Sequence, residues 1–171
     1  MVGWKRICCP VDFADPSRAA LEQAAALASH FRAELTLVHV LPAFAQVAAG
    51  EIAALREPDD TTSKRNTELL ARWRSDAEEL ADRPVRSFML SGDAASEILR
   101  HTLREGYDLL VLGTQGRTGM ARLLLGSVAE RVARGAPCPV LLARGHRLLQ
   151  REVVERAMEA SSDEEEFTLY R

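Results

Sequence analysis

The chain has 171 residues, 47% hydrophobic and 27% charged, with a formal net charge of −3. That is enough for one domain burying about two-thirds of its unfolded surface without a disulfide staple, and the slight negative charge argues against a general nucleic-acid or membrane-surface binder, so any anion site has to be local. No apolar run reaches the ~20 residues that span a bilayer, and "MVGWKRICCPVD" lacks a signal-peptide pattern, so a cytoplasmic protein with reduced thiols is expected.

The first element is "RICCPV" (6–11), a buried strand whose alternation sends Cys8 and Cys9 to opposite faces. "DPSRAALEQAAALASHF" (15–31) follows as a helix, with Asp15 as a cap, Pro16 in the first turn and alanine and leucine supplying propensity. "ELTLVHV" (34–40) is the second strand, and residues 42–63, mixing proline, glycine and polar residues, read as an irregular or partly helical connection. "NTELLARWRSDAEELAD" (66–82) gathers Leu69, Leu70, Trp73, Ala77 and Leu80 on one helical face. Then come a third strand, "VRSFMLS" (85–91), and a helix, "DAASEILRHTLREG", that Asp93 caps and Gly106 ends. "DLLVLG" (108–113) is the fourth strand, a helix runs from Ser127 to about Arg134, and "PVLLA" (139–143) is the fifth strand.

Strands alternating with helices predict an α/β fold, an open and mostly parallel sheet with helices on both faces. Residues 1–144 carry eighteen basic and eighteen acidic side chains, whereas 145–171 carry four and seven, so the net charge sits in the tail. Two units are therefore expected: a folded domain over 1–144 and a tail over 145–171, in which "RLLQREVVERAMEA" is a helix candidate and "SSDEEE" a solvated run. The four histidines, His30, His39, His101 and His146, fall on separate elements without metal-ligand spacing and read as core or surface residues.

The segment that carries chemistry is "GTQGRTGMARLLLGSVAE" (113–130), which lies behind the fourth strand and runs into a helix. In an open parallel sheet the loops at the carboxyl ends of the strands form the ligand crevice, and a helix N-terminus there offers N–H groups and a positive dipole to an anion. The spacing is Gly113, two residues, Gly116, nine residues, Gly126, then Ser127. Glycines let the backbone approach a phosphate, and Ser127 adds a hydroxyl. The alternative is that the glycines only solve turns and Ser127 only caps a helix. The segment has no lysine and is no Walker A sequence, and the turn "VDFADPS" lacks the glycines of a dinucleotide fold.

Over nearly all of residues 4–144 the sequence resembles the universal stress protein family, through "ICCPVDFADPSRAALEQAAALA", "AELTLVHVLP", "SGDAASEIL" and above all "DLLVLGTQGRTGMARLLLGSVAERVARGAPCPVLLAR". The resemblance implies a Rossmann-like fold of the adenine nucleotide alpha hydrolase-like kind, with five parallel strands in the order 3-2-1-4-5. It implies ATP or another adenine nucleotide as ligand, with or without Mg2+. Asp12 and the main chains of Pro10, Val11 and Val40 would take the adenine and ribose side, and Gly113, Gly116, Gly126, Ser127 and Val128 would surround ribose and phosphates.

Arg117 is either a phosphate partner or a solvated loop residue, and Asp12 either a ribose or adenine acceptor or a turn or cap-box partner for the first helix. A homodimer through the fifth-strand edge is expected, with no nucleic-acid or membrane partner, and residues 42–63 and the tail are the candidate contacts for a partner protein. The leading function is a stress-response or regulatory module that binds nucleotide, with slow hydrolysis at most. A dimeric sensor that uses no nucleotide is the alternative from another class. An enzyme cleaving between phosphates is a third, for which no further substrate domain or loop signature is found.

Overall fold

The computed structural model describes residues 3–42, 60–114 and 126–144. In chain order its elements are β1 (Arg6–Pro10), α1 (Asp15–Phe31), β2 (Glu34–Pro42), α2 (Asp60–Ala81), β3 (Val85–Gly92), α3 (Ala94–Glu105), β4 (Leu109–Gly113), α4 (Ser127–Gly135) and β5 (Val140–Ala143). All four strand pairings are parallel and the order is β3-β2-β1-β4-β5, as the family resemblance implied.

Strand alternation splits the core into two layers. Ile7, Cys9, Leu35, Leu37 and Val111 pack beneath α1 and α2, while Cys8, Val38, Leu110 and Leu112 form the layer under α3 and α4, where Val132 of α4 joins them. The adjacent Cys8 and Cys9 thus separate to opposite faces, and burial pushes both thiols up, Cys9 to about 12, which leaves them inert. Helix α1 turns Ser17, Ala20, Leu21, Ala24, Ala25 and Ala28 inward, a face of mostly small side chains that lets the helix lie close to the sheet.

Three local readings are corrected. Asp15 does not cap α1: Ala14 is the N-cap residue and no side chain caps the helix, because Asp12, three positions earlier, organises the turn instead. Helix α2 begins at Asp60, six residues before the predicted Asn66, so the predicted connection over 42–63 loses Pro42 to β2 and its last four residues to the helix; the rest of it lies outside the described residues. Leu80 is 48% exposed, because the sheet-facing stripe of α2 runs through Leu70, Ala77 and Ala81. The Asp93 cap stands, its carboxylate accepting the Ser96 N–H at 3.0 Å, and Gly106 ends α3 at φ 65°.

Toward the carboxyl end of α3, His101 is buried with its ring against Phe88 of β3 and Tyr107. The Arg104 guanidinium donates to its Nδ1 at 3.0 Å, which leaves Nε2–H to donate to the Tyr107 hydroxyl at 3.1 Å. Burial holds this imidazole below its ordinary value of 6.5, opposed by the charge of Glu105 and reinforced by Arg104 and Arg86. Between its lowered pKa and 6.5 the unfolded chain binds the proton that the folded one refuses. Stability should therefore decline as pH falls below 6.5, and His101→Gln, which does not titrate, should flatten that decline in melts taken between pH 8 and pH 5.

Candidate functional site

The site is built where the sheet opens. Along β1 the main-chain groups alternate sides: the Lys5 carbonyl takes the Glu34 N–H and the Val11 N–H goes to the Val38 carbonyl, whereas the Arg6 carbonyl takes the Asp108 N–H. Odd positions therefore face β2 and even ones face β4, which puts Pro10 on the β4 side with no N–H to give. Pairing of β1 with β4 runs over Ile7↔Leu109 and Cys8↔Leu110 and stops before Pro10, while β4 continues to Gly113. A crevice thus begins between the two strands where the sheet order reverses, the place at which open α/β sheets take ligands.

On the other side, β1 leaves β2 at Pro10↔Val38, yet β2 stays paired with β3 as far as Pro42↔Gly92. Glu34 and Val38 turn their main chains toward β1, so Val40, at the same parity, presents its N–H and carbonyl to the space above the end of β1. Val11 is different. Its N–H is bound to the Val38 carbonyl at 2.8 Å and its carbonyl accepts from His39 Nδ1 at 2.7 Å.

Asp12 sits half-buried at the mouth. Its Oδ1 accepts the Ala14 N–H at 3.1 Å and the Ser17 hydroxyl at 2.5 Å, and its own N–H goes to Ser17 Oγ at 3.1 Å. These are the bonds of a turn that leads into the helix, so the turn alternative is realised without a side-chain cap, and the same bonds hold the carboxylate fixed at the strand end. The next residue, Phe13, adopts φ 64°, uncommon for a side chain of this size, and its ring packs on His39 with centroids 4.3 Å apart and edge-on to Trp73 at 5.5 Å.

The third wall is the start of α4. The Gly126 N–H binds the Thr114 carbonyl at 2.7 Å, and the Thr114 N–H binds the Ala143 carbonyl at 3.0 Å, which fixes the helix start against the ends of β4 and β5. Gly126 is the N-cap residue and no side chain caps the helix, so the N–H groups of the first turn, from Ser127 and Val128 onward, have no intrahelical partner. One turn further on, Arg131 is committed to Asp93, with bonds of 3.0 and 2.9 Å that hold the Asp93 carboxyl well below the usual carboxylate range. Among the described residues no group of three or more His, Cys, Asp or Glu side chains is placed to hold a metal ion, and no helix is long and apolar enough to cross a membrane.

Pro10, Val11, Asp12, Val40, Gly113, Gly126, Ser127 and Val128 thus gather at one edge of the sheet, the carboxyl ends of β1, β2 and β4 with the start of α4. Gly116 and Arg117 lie outside the described residues. The family model for the universal stress protein family matches residues 3–144. The chain belongs to that family. Universal stress protein MJ0531 of Methanocaldococcus jannaschii is 34% identical over 141 residues, covering 82% of each chain. Among solved structures, universal stress protein UspA from Lactobacillus plantarum has the same fold, with a TM-score of 0.73 at 21% identity over 84% of this chain and 100% of that one. A universal stress protein solved in complex with cAMP superposes with a TM-score of 0.62 at 21% identity, over 84% of this chain and 99% of that one.

Three residues near the mouth are given no part in the site by the sequence: His39, which reads as a core or surface histidine, Trp73, which reads as part of an apolar helical face, and Phe13, which has no reading. A signal existed: the alternation of "ELTLVHV" sets a histidine in line with Leu35 and Leu37, on the face that α1 and α2 cover, where a polar ring needs a partner.

Proposed function

We propose that this stress protein acts in the cytoplasm as a regulatory module that binds ATP or a related adenine nucleotide, with or without Mg2+, in the crevice between the carboxyl ends of β1 and β4. The observation that carries this reading is the uncapped start of α4, docked by Gly126 onto Thr114 at the mouth that Pro10 opens. Unpartnered N–H groups at a helix start suit an anion. The fold holds cAMP in the protein solved with it, which supports an adenine ligand class.

In this reading Asp12 and the Val40 main chain make the hydrogen bonds to ribose and base. Pro10 and Val11 contribute backbone surface, since both polar groups of Val11 are already bound within the protein. Gly113, Gly116, Gly126, Ser127 and Val128 line ribose and phosphates, and Arg117 is the candidate counter-charge. Bound Mg2+ would neutralise phosphate charge. The test is mass spectrometry of small molecules released from freshly purified protein together with thermal melts in added nucleotide. An adenine nucleotide in the first and a shift in the second are expected. Failure of both would favour the sensor that uses no nucleotide.

A homodimer through the β5 edge completes the proposal. The carbonyls of Pro139 and Ala143 face β4, so Val140 and Leu142 turn their main chains outward, and the Leu141 and Leu142 side chains remain 36% and 37% exposed. An apolar edge of this kind invites pairing. Sedimentation at micromolar concentration should give twice the 18.9 kDa of one chain and fall to one chain in Leu142→Lys; wild-type protein that sediments only as monomer would remove the dimer.

A further inference from the structure

The end of the β1–β2 ladder is set by a side chain. In a parallel ladder each residue of one strand uses both its N–H and its carbonyl on two residues of the other, spaced two apart. The Val11 N–H binds the Val38 carbonyl, so the next bond in sequence would run from the Val40 N–H to the Val11 carbonyl. It is not formed. That carbonyl takes the His39 Nδ1–H at 2.7 Å instead, and among the described residues the Val40 N–H has no acceptor on its β1 side.

His39 is buried, with the Phe13 ring packed at a tilt against its own at 4.3 Å, and Phe13 holds that position with a left-handed backbone. The imidazole therefore stands where the ladder would continue, and the chain turns away through Asp12 and Phe13.

We propose that His39 is a positioning residue that ends the β1–β2 ladder and so keeps the Val40 main-chain edge open to a ligand. The ligand side of this inference rests on the adenine-nucleotide reading above; the ladder side does not. With Nδ1–H donating to a carbonyl, the ring is fixed in one tautomer and its place along β1 is fixed with it. Loss of the donor would free the Val11 carbonyl for the Val40 N–H, and the strands would zip by one further bond. The edge would close although the protein gained a backbone hydrogen bond.

The test is amide hydrogen exchange of Val40 by NMR in ligand-free protein, alongside adenosine affinity by calorimetry, for wild type, His39→Leu and His39→Asn. In wild type the Val40 amide should exchange faster than that of Val38, and a protected Val40 overturns the proposal without any variant. In His39→Leu the Val40 amide should slow by about tenfold while adenosine affinity falls by a similar factor, each about the worth of one hydrogen bond. His39→Asn keeps an N–H donor near the position of Nδ1 and should behave like wild type in both.

A merely structural role predicts the opposite sign, since a loosened core speeds exchange. Faster or unchanged exchange in His39→Leu, or an Asn variant that matches it, overturns the proposal. Wild-type protein that binds no adenosine while Val40 exchange behaves as expected would sink the nucleotide reading and leave the ladder role standing.

Discussion

ATP at a hundred times its dissociation constant should stabilise the wild-type protein by about 2.7 kcal/mol, and Gly126→Val should abolish that gain while melting at the wild-type temperature without ligand. In a domain of this size the gain is a rise of about 5 to 10 °C in the melting temperature. The variant separates the two halves because Gly126 lies at φ −70° and ψ 151°, an extended conformation open to any residue, so valine brings no backbone strain. What valine does bring is a branched side chain at the N-cap position, where phosphate oxygens would approach the N–H groups of Ser127 and Val128. Ser127→Ala is the milder companion, removing one hydroxyl and weakening binding by about 1 to 3 kcal/mol without blocking the approach. The absence of any shift with ATP, ADP or AMP at millimolar concentration would end the nucleotide reading. Normal binding by Gly126→Val would move the site elsewhere.

Gly126 also shows how far the sequence could be read. Its place in the motif and the strand before it put Gly126 at the start of a helix behind the fourth strand, and that is where it lies, because a buried parallel strand followed by glycine and a helix has few other arrangements. The order of the sheet followed from the family resemblance, since periodicity alone gives strands without their neighbours. The chemistry around Asp12 was open in the sequence for a physical reason: one carboxylate can start a helix or receive a ribose, and only coordinates show it bound to Ala14 and Ser17. The opening between β1 and β4 depended on parity, on which side of β1 the missing N–H of Pro10 falls, and a sequence does not state which neighbour a strand's even residues face. His39 escaped because its partner is a carbonyl 28 positions away, and such a bond has no local signature. The start of α2 at Asp60 escaped for the opposite reason: "DTTSKR" has no apolar residue to set a period, and the helix extends on its packed segment further along.

Gly113→Ala should destabilise the ligand-free protein by about 1 to 3 kcal/mol, a loss of about 2 to 12 °C, in contrast to Gly126→Val. The two glycines open and close the same motif, yet they are glycine for different reasons. A methyl group on Gly113 would stand 2.6 Å from both the carbonyl carbon and the carbonyl oxygen of Pro16 and 3.0 Å from the Ser17 nitrogen. All three are backbone atoms at the start of α1, so no side chain can swing away and the helix itself has to move. That helix has little freedom, since Ser17 is bound to Asp12 and the alanine face behind it is packed on the sheet. The strain also reaches the site, because a shift of Ser17 carries the Asp12 carboxylate with it. Gly113→Ala should therefore lower both the melting temperature and nucleotide affinity, whereas Gly126→Val lowers affinity alone. Gly3→Ala is the control: nothing lies within 4 Å of the added methyl, and its melting temperature should match wild type. A Gly113→Ala protein as stable as wild type would mean that α1 does not press on the end of β4, and this glycine would then be reassigned wholly to the ligand.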